Sequence, residues 1–220
     1  ASIQMEAIVD MPKQLTQVNI NDIIAIDMGI KDFGIYGNKN TTTKVKNPRF
    51  IKLHEKRLRR LQQSLSRKQL RSKNWEKAKL KVAKEQRKIK NQRKDFHHKL
   101  SRKIVNECNV FVCEDLNVKG LVKNHKLAKE ISSVGWSQFL TYVKYKLERK
   151  GGLFIKVNRF YASTKLCSHC GHKKTDLQLK DRYWVCPQCS TKHDRDINAK
   201  TNLLNEGIRL LTTNYNIQVV

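Results

Sequence analysis

The chain has 220 residues, a length suited to one main globular domain with a small satellite. It carries 46 lysines and arginines against 19 acidic residues, a formal net charge of +27. Such an imbalance repels itself unless a polyanion neutralises it, so nucleic acid is the expected partner. No run of about 18 apolar residues occurs and no signal peptide is evident, so a membrane protein is not expected and a cytoplasmic one is.

The first part of the chain predicts strands. Residues 2–9, "SIQMEAIV", read as one strand, and residues 22–38, "DIIAIDMGIKDFGIYGN", contain an apolar run and a second strand-like run around a glycine. The second segment indicates two strands joined by a sharp turn. Asp27 lies inside it, between Ile26 and Met28.

A basic segment follows, with 21 basic and 4 acidic residues between positions 50 and 103. An apolar stripe at helical spacing (Val82, Ile89, Phe96, Leu100, Ile104) and an earlier set of leucines (53, 58, 61, 65) predict two helices over residues 50–108. We expect Asn74 to cap the second helix. The excess charge is larger than solubility alone requires, so phosphate contact is favoured over a merely solvated surface. The candidate contacts are Arg57, Arg60, Arg67, Arg71 and Lys81.

The rest of the chain alternates strands with helices. Residues 109–116 and 153–160 read as strands, the segment from Trp136 to Leu147 as an amphipathic helix closed by Gly151 and Gly152, and residues 197–211 as a helix begun by Asp196. Strands and helices in this order predict an α/β fold with a mixed sheet, interrupted by the basic helical insertion.

Four cysteines have the spacing of a metal site. Two C-x2-C pairs are separated by fifteen residues, as in four-cysteine zinc modules, and comprise Cys167, Cys170, Cys186 and Cys189. Four thiolates complete a tetrahedral shell, so the zinc should be structural, with His169 and His193 as alternative ligands. Tyr183 and Trp184 lie between the pairs and could stack on a base or pack under the module. Cys108 and Cys113 flank an apolar run and are expected to be buried without a chemical role.

Three acidic residues end or interrupt an apolar strand, or open a helix: Asp27, Glu114 and Asp196. Each alone could be a turn residue, a strand end or a helix cap. Together they could hold Mg²⁺ or Mn²⁺ for phosphodiester hydrolysis, which requires converging carboxylates. Since clustered carboxylates repel one another, the trio would itself call for a cation.

The chain resembles the RuvC-type nuclease core of the transposon-encoded TnpB proteins, relatives of the type V CRISPR effector nucleases. The resemblance rests on five segments in order: "IAIDMGIKDFGIYGN", "VFVCEDLNVKGL", "GWSQFLTYVKYKLERKG", "YASTKLCSHCG" and "CPQCSTKHDRDINAK". It implies an RNase H-like fold and a nucleoid-associated prokaryotic, RNA-guided DNA endonuclease, with DNA and a guide RNA as partners.

The resemblance also implies roles for individual residues. Asp27, Glu114 and Asp196 fall on the family's three catalytic, metal-binding carboxylates. Asp194 then remains a candidate for holding the site in place, while Asp115 is not expected to bind metal. Arg195 either assists the scissile phosphate as a fixed cation or points to solvent.

The implied organisation has four parts. Residues 1–13 would be the last strand of an upstream domain, residues 14–163 and 193–220 the nuclease domain, and residues 164–192 a zinc ribbon that binds target nucleic acid. The family's upstream wedge-like barrel and helical recognition region are not found in this chain. The alternatives to a nuclease half are therefore a non-catalytic nucleic-acid-binding fragment or repressor, and an accessory subunit that associates with a full-length relative.

Overall fold

The computed structural model describes residues 15–125, 127–178 and 180–220. The strand expected at residues 2–9, and the whole segment 1–13, lie outside these ranges. The elements are β1 (Gln17–Val18), a 3-10 turn (Ile20–Asp22), β2 (Ile23–Met28), β3 (Asp32–Gly37), β4 (Thr43–Lys46), α1 (Phe50–Ser66), α2 (Lys73–Glu107), β5 (Val110–Glu114), α3 (Val118–Leu121), α4 (Ala128–Val134), α5 (Trp136–Arg149), β6 (Leu153–Val157), β7 (Tyr183–Val185), β8 (Lys192–Asp194), α6 (Arg195–Asn214) and β9 (Gln218–Val219).

A five-stranded mixed sheet organises the molecule, with the strand order β4-β3-β2-β5-β6. Strands β2, β3 and β4 pair antiparallel, whereas β5 pairs parallel with both β2 and β6. The mixed α/β class and the hairpin at residues 22–38 are therefore confirmed. Strands β1 and β9 form a separate parallel pair, and β7 and β8 form a small antiparallel hairpin.

Both faces of the central strands are covered, which explains why β2 and β5 read as continuous apolar runs. Ile24, Ile26 and Phe111 join the apolar cluster formed with α2 and α5. Ile23, Ala25, Val110 and Val112 point the other way, into the cluster that contains leucines of α6. The sheet is thus the middle layer between a helical pair and α6.

Helices α1 and α2 form the predicted basic hairpin, here called the helical hairpin (Phe50–Glu107). The apolar stripe on α2 is confirmed, because Val82, Ile89 and Ile104 are buried. The helix predicted from the leucine set is confirmed as α1, although Leu53 itself is 73% exposed. No α1 residue is buried, so the hairpin keeps most of its first helix in solvent.

The cap predicted for the second helix is also wrong. Helix α2 begins at Lys73, and the side chain of Ser72, rather than Asn74, accepts a hydrogen bond from the backbone N–H of Trp75. Ser72 has the extended backbone that an N-cap needs, whereas Asn74 already lies in the first helical turn. Among the described residues, no helix combines the length and apolar character needed to cross a membrane.

A buried histidine joins α2 to α4 and the sheet. His97 donates from Nε2 to the carbonyl oxygen of Val134 at 3.0 Å, and its ring lies 5.6 Å from Phe33 and 5.9 Å from Phe139, measured between ring centroids. Burial lowers the pKa of His97 from 6.5 to about 4, because these surroundings solvate the imidazolium poorly.

We therefore expect acid to weaken the fold through His97. Its folded-state pKa lies below the unfolded value, so the stability that it contributes is present above pH 6.5 and is lost as the pH falls toward 4. Between pH 7 and pH 5, the free energy of unfolding should drop by about 1–2 kcal/mol more in the wild type than in His97→Gln. Urea denaturation followed by circular dichroism measures both values.

The exposed His125 offers the matched control, and His125→Gln should keep the wild-type pH response. Equal pH responses for the wild type and His97→Gln would contradict the assignment.

Candidate active site

Strand register brings the first two predicted acids together. Ile26 of β2 pairs with Cys113 of β5, and Asp27 and Glu114 are the next residues along the two parallel strands. Side chains alternate along each strand, so Asp27 shares the face of Ile23 and Ala25, and Glu114 shares the face of Val110 and Val112. Both belong to the face that α6 covers.

Helix α6 brings the third acid to the same place, because Asp196 lies in its first turn. The predicted cap at Asp196 is wrong: the helix begins at Arg195, and Asp194 is the N-cap. One carboxylate oxygen of Asp194 accepts from the N–H of Asp196 at 2.9 Å and of Ile197 at 3.2 Å. Since Asp194 does the capping, the carboxylate of Asp196 is left to other partners.

Asp27, Glu114 and Asp196 line one open cavity of about 700 Å³, called the acidic cleft below. Burial, and then the negative charges of Asp196 and Glu114, raise the pKa of Asp27 to about 8. Burial, and then the charge of Asp115, raises the pKa of Glu114. Asp27 therefore lies within electrostatic reach of both Glu114 and Asp196, and the setting disfavours the charged forms of Asp27 and Glu114.

The acidic cleft offers hard oxygen ligands, which suit Mg²⁺ or Mn²⁺. The three carboxylates do not form one tight cage: in the described parts of the chain, the only set of three or more candidate ligands with all atoms within 4.8 Å is the cysteine set. An open arrangement of this kind fits a site where substrate phosphate and water complete the coordination shell.

Two arginines contact Asp196. The guanidinium of Arg182 forms an ion pair with Oδ2, and Nε of Arg195 lies 3.3 Å from Oδ1. Arg195 lines the cleft, and only 14% of its side chain is exposed. Sequence reasoning missed the part played by Arg182. No local sequence signal marks it, because the contact follows from the pairing of β7 with β8, which places residue 182 opposite residue 195.

The neighbouring Asp115 has a different environment from Glu114. Its carboxylate accepts from Lys156 at 3.0 Å and from Arg159, and these hydrogen bonds lower its pKa. It is not among the residues that line the acidic cleft. Glu114 thus lines the cleft, whereas Asp115 forms ion pairs at the surface.

The four paired cysteines converge as predicted. Their sulfur atoms lie within 4.8 Å of one another, and they comprise Cys167, Cys170, Cys186 and Cys189. The N–H of Gly171 bonds to the carbonyl of Cys167, and the N–H of Ser190 to that of Cys186, both at 2.9 Å, with Gly171 and Ser190 at positive φ. Two tight knuckles thus present four sulfurs that can hold a zinc ion.

The alternative histidine ligands lie outside this set. Nε2 of His193 is 3.0 Å from Sγ of Cys167, at hydrogen-bond distance, and His169 is exposed. The ring of His193 lies 4.6 Å from that of Trp184, which is buried under the module. Tyr183 is 78% exposed, so of the two aromatic residues only Tyr183 is open to a base. Cys108 and Cys113 are buried, as expected.

The predicted phosphate contacts lie on the helical hairpin and do not line the acidic cleft. All five are exposed: Arg57, Arg60, Arg67, Arg71 and Lys81. Arg57 already has a partner, because its Nε lies 3.1 Å from the buried carboxylate of Glu85. Lys81 borders a cavity of about 310 Å³ together with Lys68 and Lys77.

Two models of known protein families match parts of the chain. Residues 6–125 match the family model OrfB_IS605, described as "Probable transposase". The chain belongs to the OrfB_IS605 family. Residues 136–203 match a second model, "Cas12f1-like, TNB domain", and this range contains the four paired cysteines and Asp196.

Curated relatives of this OrfB_IS605 chain are longer. It is 38% identical over 185 residues to a "Putative RNA-guided DNA endonuclease" of Streptomyces pristinaespiralis, a match that covers 84% of the chain and 45% of the relative. It is 26% identical over 232 residues to "Putative RNA-guided DNA endonuclease InsQ" of Escherichia coli (strain K12), covering 99% and 56%. The chain therefore spans about half the length of these relatives. It is also 30% identical over 198 residues to "TnpB-like protein L79" of Acanthamoeba polyphaga mimivirus, covering 84% of the chain and 37% of the relative, so the predicted resemblance to TnpB proteins is confirmed.

Solved structures share the fold. The chain superposes with a TM-score of 0.64 and 21% identity on a "CRISPR-Cas12f Ternary Complex", over 89% of this chain and 41% of the other. A "Cas12f1-sgRNA-target DNA complex" gives a TM-score of 0.63 and 17% identity, over 86% and 50%. The mixed α/β architecture of the OrfB_IS605 chain is thus that of the Cas12f proteins.

Removing zinc should unfold the cysteine module and spare the main sheet. A module this small has little core beyond Leu177 and Trp184, so we expect it to depend on zinc, whereas β2 and β5 are buried between helices. After chelation, hydrogen-exchange mass spectrometry should show fast exchange in residues 164–192 and continued protection in β2 and β5. Cys186→Ser should do the same.

His169→Ala is the control, since His169 lies outside the sulfur set and its loss should leave the zinc content unchanged. Collapse of protection across the sheet on chelation would show that the two parts are not separable.

Proposed function

We propose that this chain is the nuclease portion of an RNA-guided DNA endonuclease that cuts DNA by metal-dependent hydrolysis of phosphodiester bonds. The observation that carries the proposal is the convergence of Asp27, Glu114 and Asp196 on one side of the central sheet. The printed names of the curated relatives support the reaction, and the Cas12f complexes support DNA and guide RNA as partners.

The fold within this proposal is RNase H-like, of the RuvC type. Three antiparallel strands extended by two parallel ones support it, as does the delivery of an acid from a helix that crosses the central strands. We assign residues 14–163 and 193–220 to the nuclease domain, with residues 50–108 as its helical insertion, and residues 164–192 to a zinc ribbon that contacts target nucleic acid. The separate apolar cluster around Cys167, Leu177 and Trp184 supports the last boundary.

Each group in the acidic cleft has a proposed task. Asp27 and Glu114, fixed by buried strands, and Asp196, fixed by the capped start of α6, would hold Mg²⁺ or Mn²⁺. Ions bound there stabilise the attacking and leaving oxygens of a phosphodiester. Arg195 lies beside Asp196 and would place a cation near the scissile phosphate. The exposed arginines of the helical hairpin would bind nucleic-acid phosphates away from the cleft.

A second candidate function is a nucleic-acid-binding fragment or accessory subunit without cleavage activity. The observation that favours it is that Asp196 is already paired with Arg182 and Arg195, and that the three carboxylates form no set with all ligand atoms within 4.8 Å. The two candidates differ in a metal titration with a cleavage assay, because a pure binding protein cuts at no Mg²⁺ or Mn²⁺ concentration.

Asp196→Asn should abolish cleavage by a protein that contains this chain together with the family's upstream region and a guide RNA. The change keeps the size of the side chain but removes the charge that would hold the ion, so we expect a fall of at least about 100-fold in the cleavage rate with Mg²⁺. Asp115→Asn is the matched control, because Asp115 adjoins Glu114 but pairs with Lys156 and Arg159. It should cut at close to the wild-type rate. Cleavage by Asp196→Asn at the control rate would refute the proposal.

The helical hairpin should account for part of the salt dependence of nucleic-acid binding. Each phosphate contact contributes a slope of about −0.7 to −0.9 to the log–log plot of affinity against salt. Arg60→Gln combined with Arg67→Gln should therefore make the slope shallower by about 1.4–1.8. Fluorescence anisotropy with a labelled oligonucleotide, at several salt concentrations, measures it.

The control removes equal charge elsewhere, as Arg149→Gln with Arg209→Gln on α5 and α6. The same loss of slope in both double variants would argue for a diffuse charge effect and against a binding surface on the hairpin.

A further inference from the structure

The acidic cleft contains a cation that comes from the zinc ribbon. Arg182 lies directly before β7, and its guanidinium pairs with Oδ2 of Asp196, at the start of α6. The two chain segments are also tied through the backbone, since the N–H of Arg195 donates to the carbonyl oxygen of Arg182 at 2.8 Å. The contact thus joins the zinc ribbon, predicted to bind target nucleic acid, to the predicted nuclease domain.

The cysteine module determines where Arg182 lies. Strands β7 and β8 pair Tyr183 with Asp194 and Val185 with Lys192, and Cys186 and Cys189 lie in the connection between the strands. His193 of β8 is in turn at hydrogen-bond distance from Cys167. A zinc ion that closes the cysteine site would therefore fix the hairpin and, with it, the arginine that reaches Asp196.

Asp196 does not need this arginine for its position. Its backbone is held by the Asp194 cap and by the first turn of α6, and Ala199 and Leu203 of the same helix are fully buried against the sheet. What Arg182 supplies is charge. Its ion pair neutralises the carboxylate of Asp196, which is what a divalent ion bound to Asp196 would also do.

We propose that Arg182 is a built-in countercation of the acidic cleft, which competes with the divalent ion for Asp196. The inference rests on the metal site of the proposed function and assigns a further residue to it. Even with the dielectric constant of bulk water, a unit charge about 5 Å from a divalent ion opposes binding by an amount equivalent to at least roughly tenfold in affinity. Arg182 would thus lower the affinity of the acidic cleft for divalent ions until nucleic acid attracts its guanidinium away from Asp196.

The test measures metal binding by the zinc-loaded 220-residue chain without nucleic acid. Mn²⁺ titration followed by electron paramagnetic resonance gives the dissociation constant. Arg182→Gln should bind Mn²⁺ about tenfold more tightly than the wild type, since the competing charge is gone. Arg182→Lys, which keeps the charge, should stay near the wild-type value.

A positioning role for Arg182 predicts the opposite result, because loss of the guanidinium would disorder Asp196 and weaken Mn²⁺ binding. Arg159→Gln is the matched control: it removes an arginine from an Asp–Arg pair at the same edge of the sheet, outside the acidic cleft. It should leave the dissociation constant unchanged. Circular dichroism and zinc content establish that each variant is folded.

The proposal would be overturned if Arg182→Gln bound Mn²⁺ no more tightly than the wild type, or did not bind it at all. It would also be overturned if Arg159→Gln tightened Mn²⁺ binding as much as Arg182→Gln does. These outcomes are separate from those for the proposed function, which depends on cleavage by the Asp196→Asn protein. Mn²⁺ affinity can follow the expected order in a chain that cuts nothing, and cleavage can depend on Asp196 without any competition from Arg182.

Discussion

The parallel pairing of β2 with β5 determines where an acidic cleft can form. Ile26 lies opposite Cys113, so Asp27 and Glu114 reach the same level, on the same face, as the two strands end. A slip of one residue would turn Glu114 to the other face, into the layer of α2 and α5. The pairing is held by four consecutive buried residues on each strand, and an error in register would expose apolar side chains on both sides. Core packing and site geometry are therefore the same constraint.

Helix α6 converts this pair of acids into a trio because it lies close against the sheet. Gly207 permits the approach: a Cβ there would lie 2.5 Å from a methyl carbon of Val112, so any larger residue would lift the helix. The buried Lys200, two residues before Asn202 on the same helix, donates to the carbonyl of Asn38 at 3.1 Å and fixes the helix over the β3–β4 turn. The position of Asp196 is thus set along the whole length of α6 as well as at its cap.

The parts of the structure that sequence predicted well are those with local signals. Buried strands are recognisable in the sequence as apolar runs, and the cysteine spacing indicates four sulfur ligands of a tetrahedral metal site. The predicted N-caps, Asn74 and Asp196, each lie two residues after the observed N-caps, Ser72 and Asp194. Capping depends on backbone angles, which residue type alone does not reveal. Leu53 is exposed although it belongs to the leucine set that predicted α1, because helical period alone does not show how much of a helix is packed against a partner. Arg182 was missed since its contact depends on the pairing of two short strands across a loop.

The distribution of charge connects the basic surface, the acidic cleft and the cysteine module. A chain with a net charge of +27 attracts phosphate over much of its surface, yet the cleft that would handle a phosphodiester is built from carboxylates that repel it. The conflict is confined to one edge of the sheet, where Arg182 and Arg195 face Asp196 and where Asp115 is already neutralised by Lys156 and Arg159. Because Arg182 belongs to the cysteine module, the charge balance of the cleft depends on a part of the chain that we expect to need zinc to fold. A structural zinc ion would in this way influence the proposed second metal site through one ion pair.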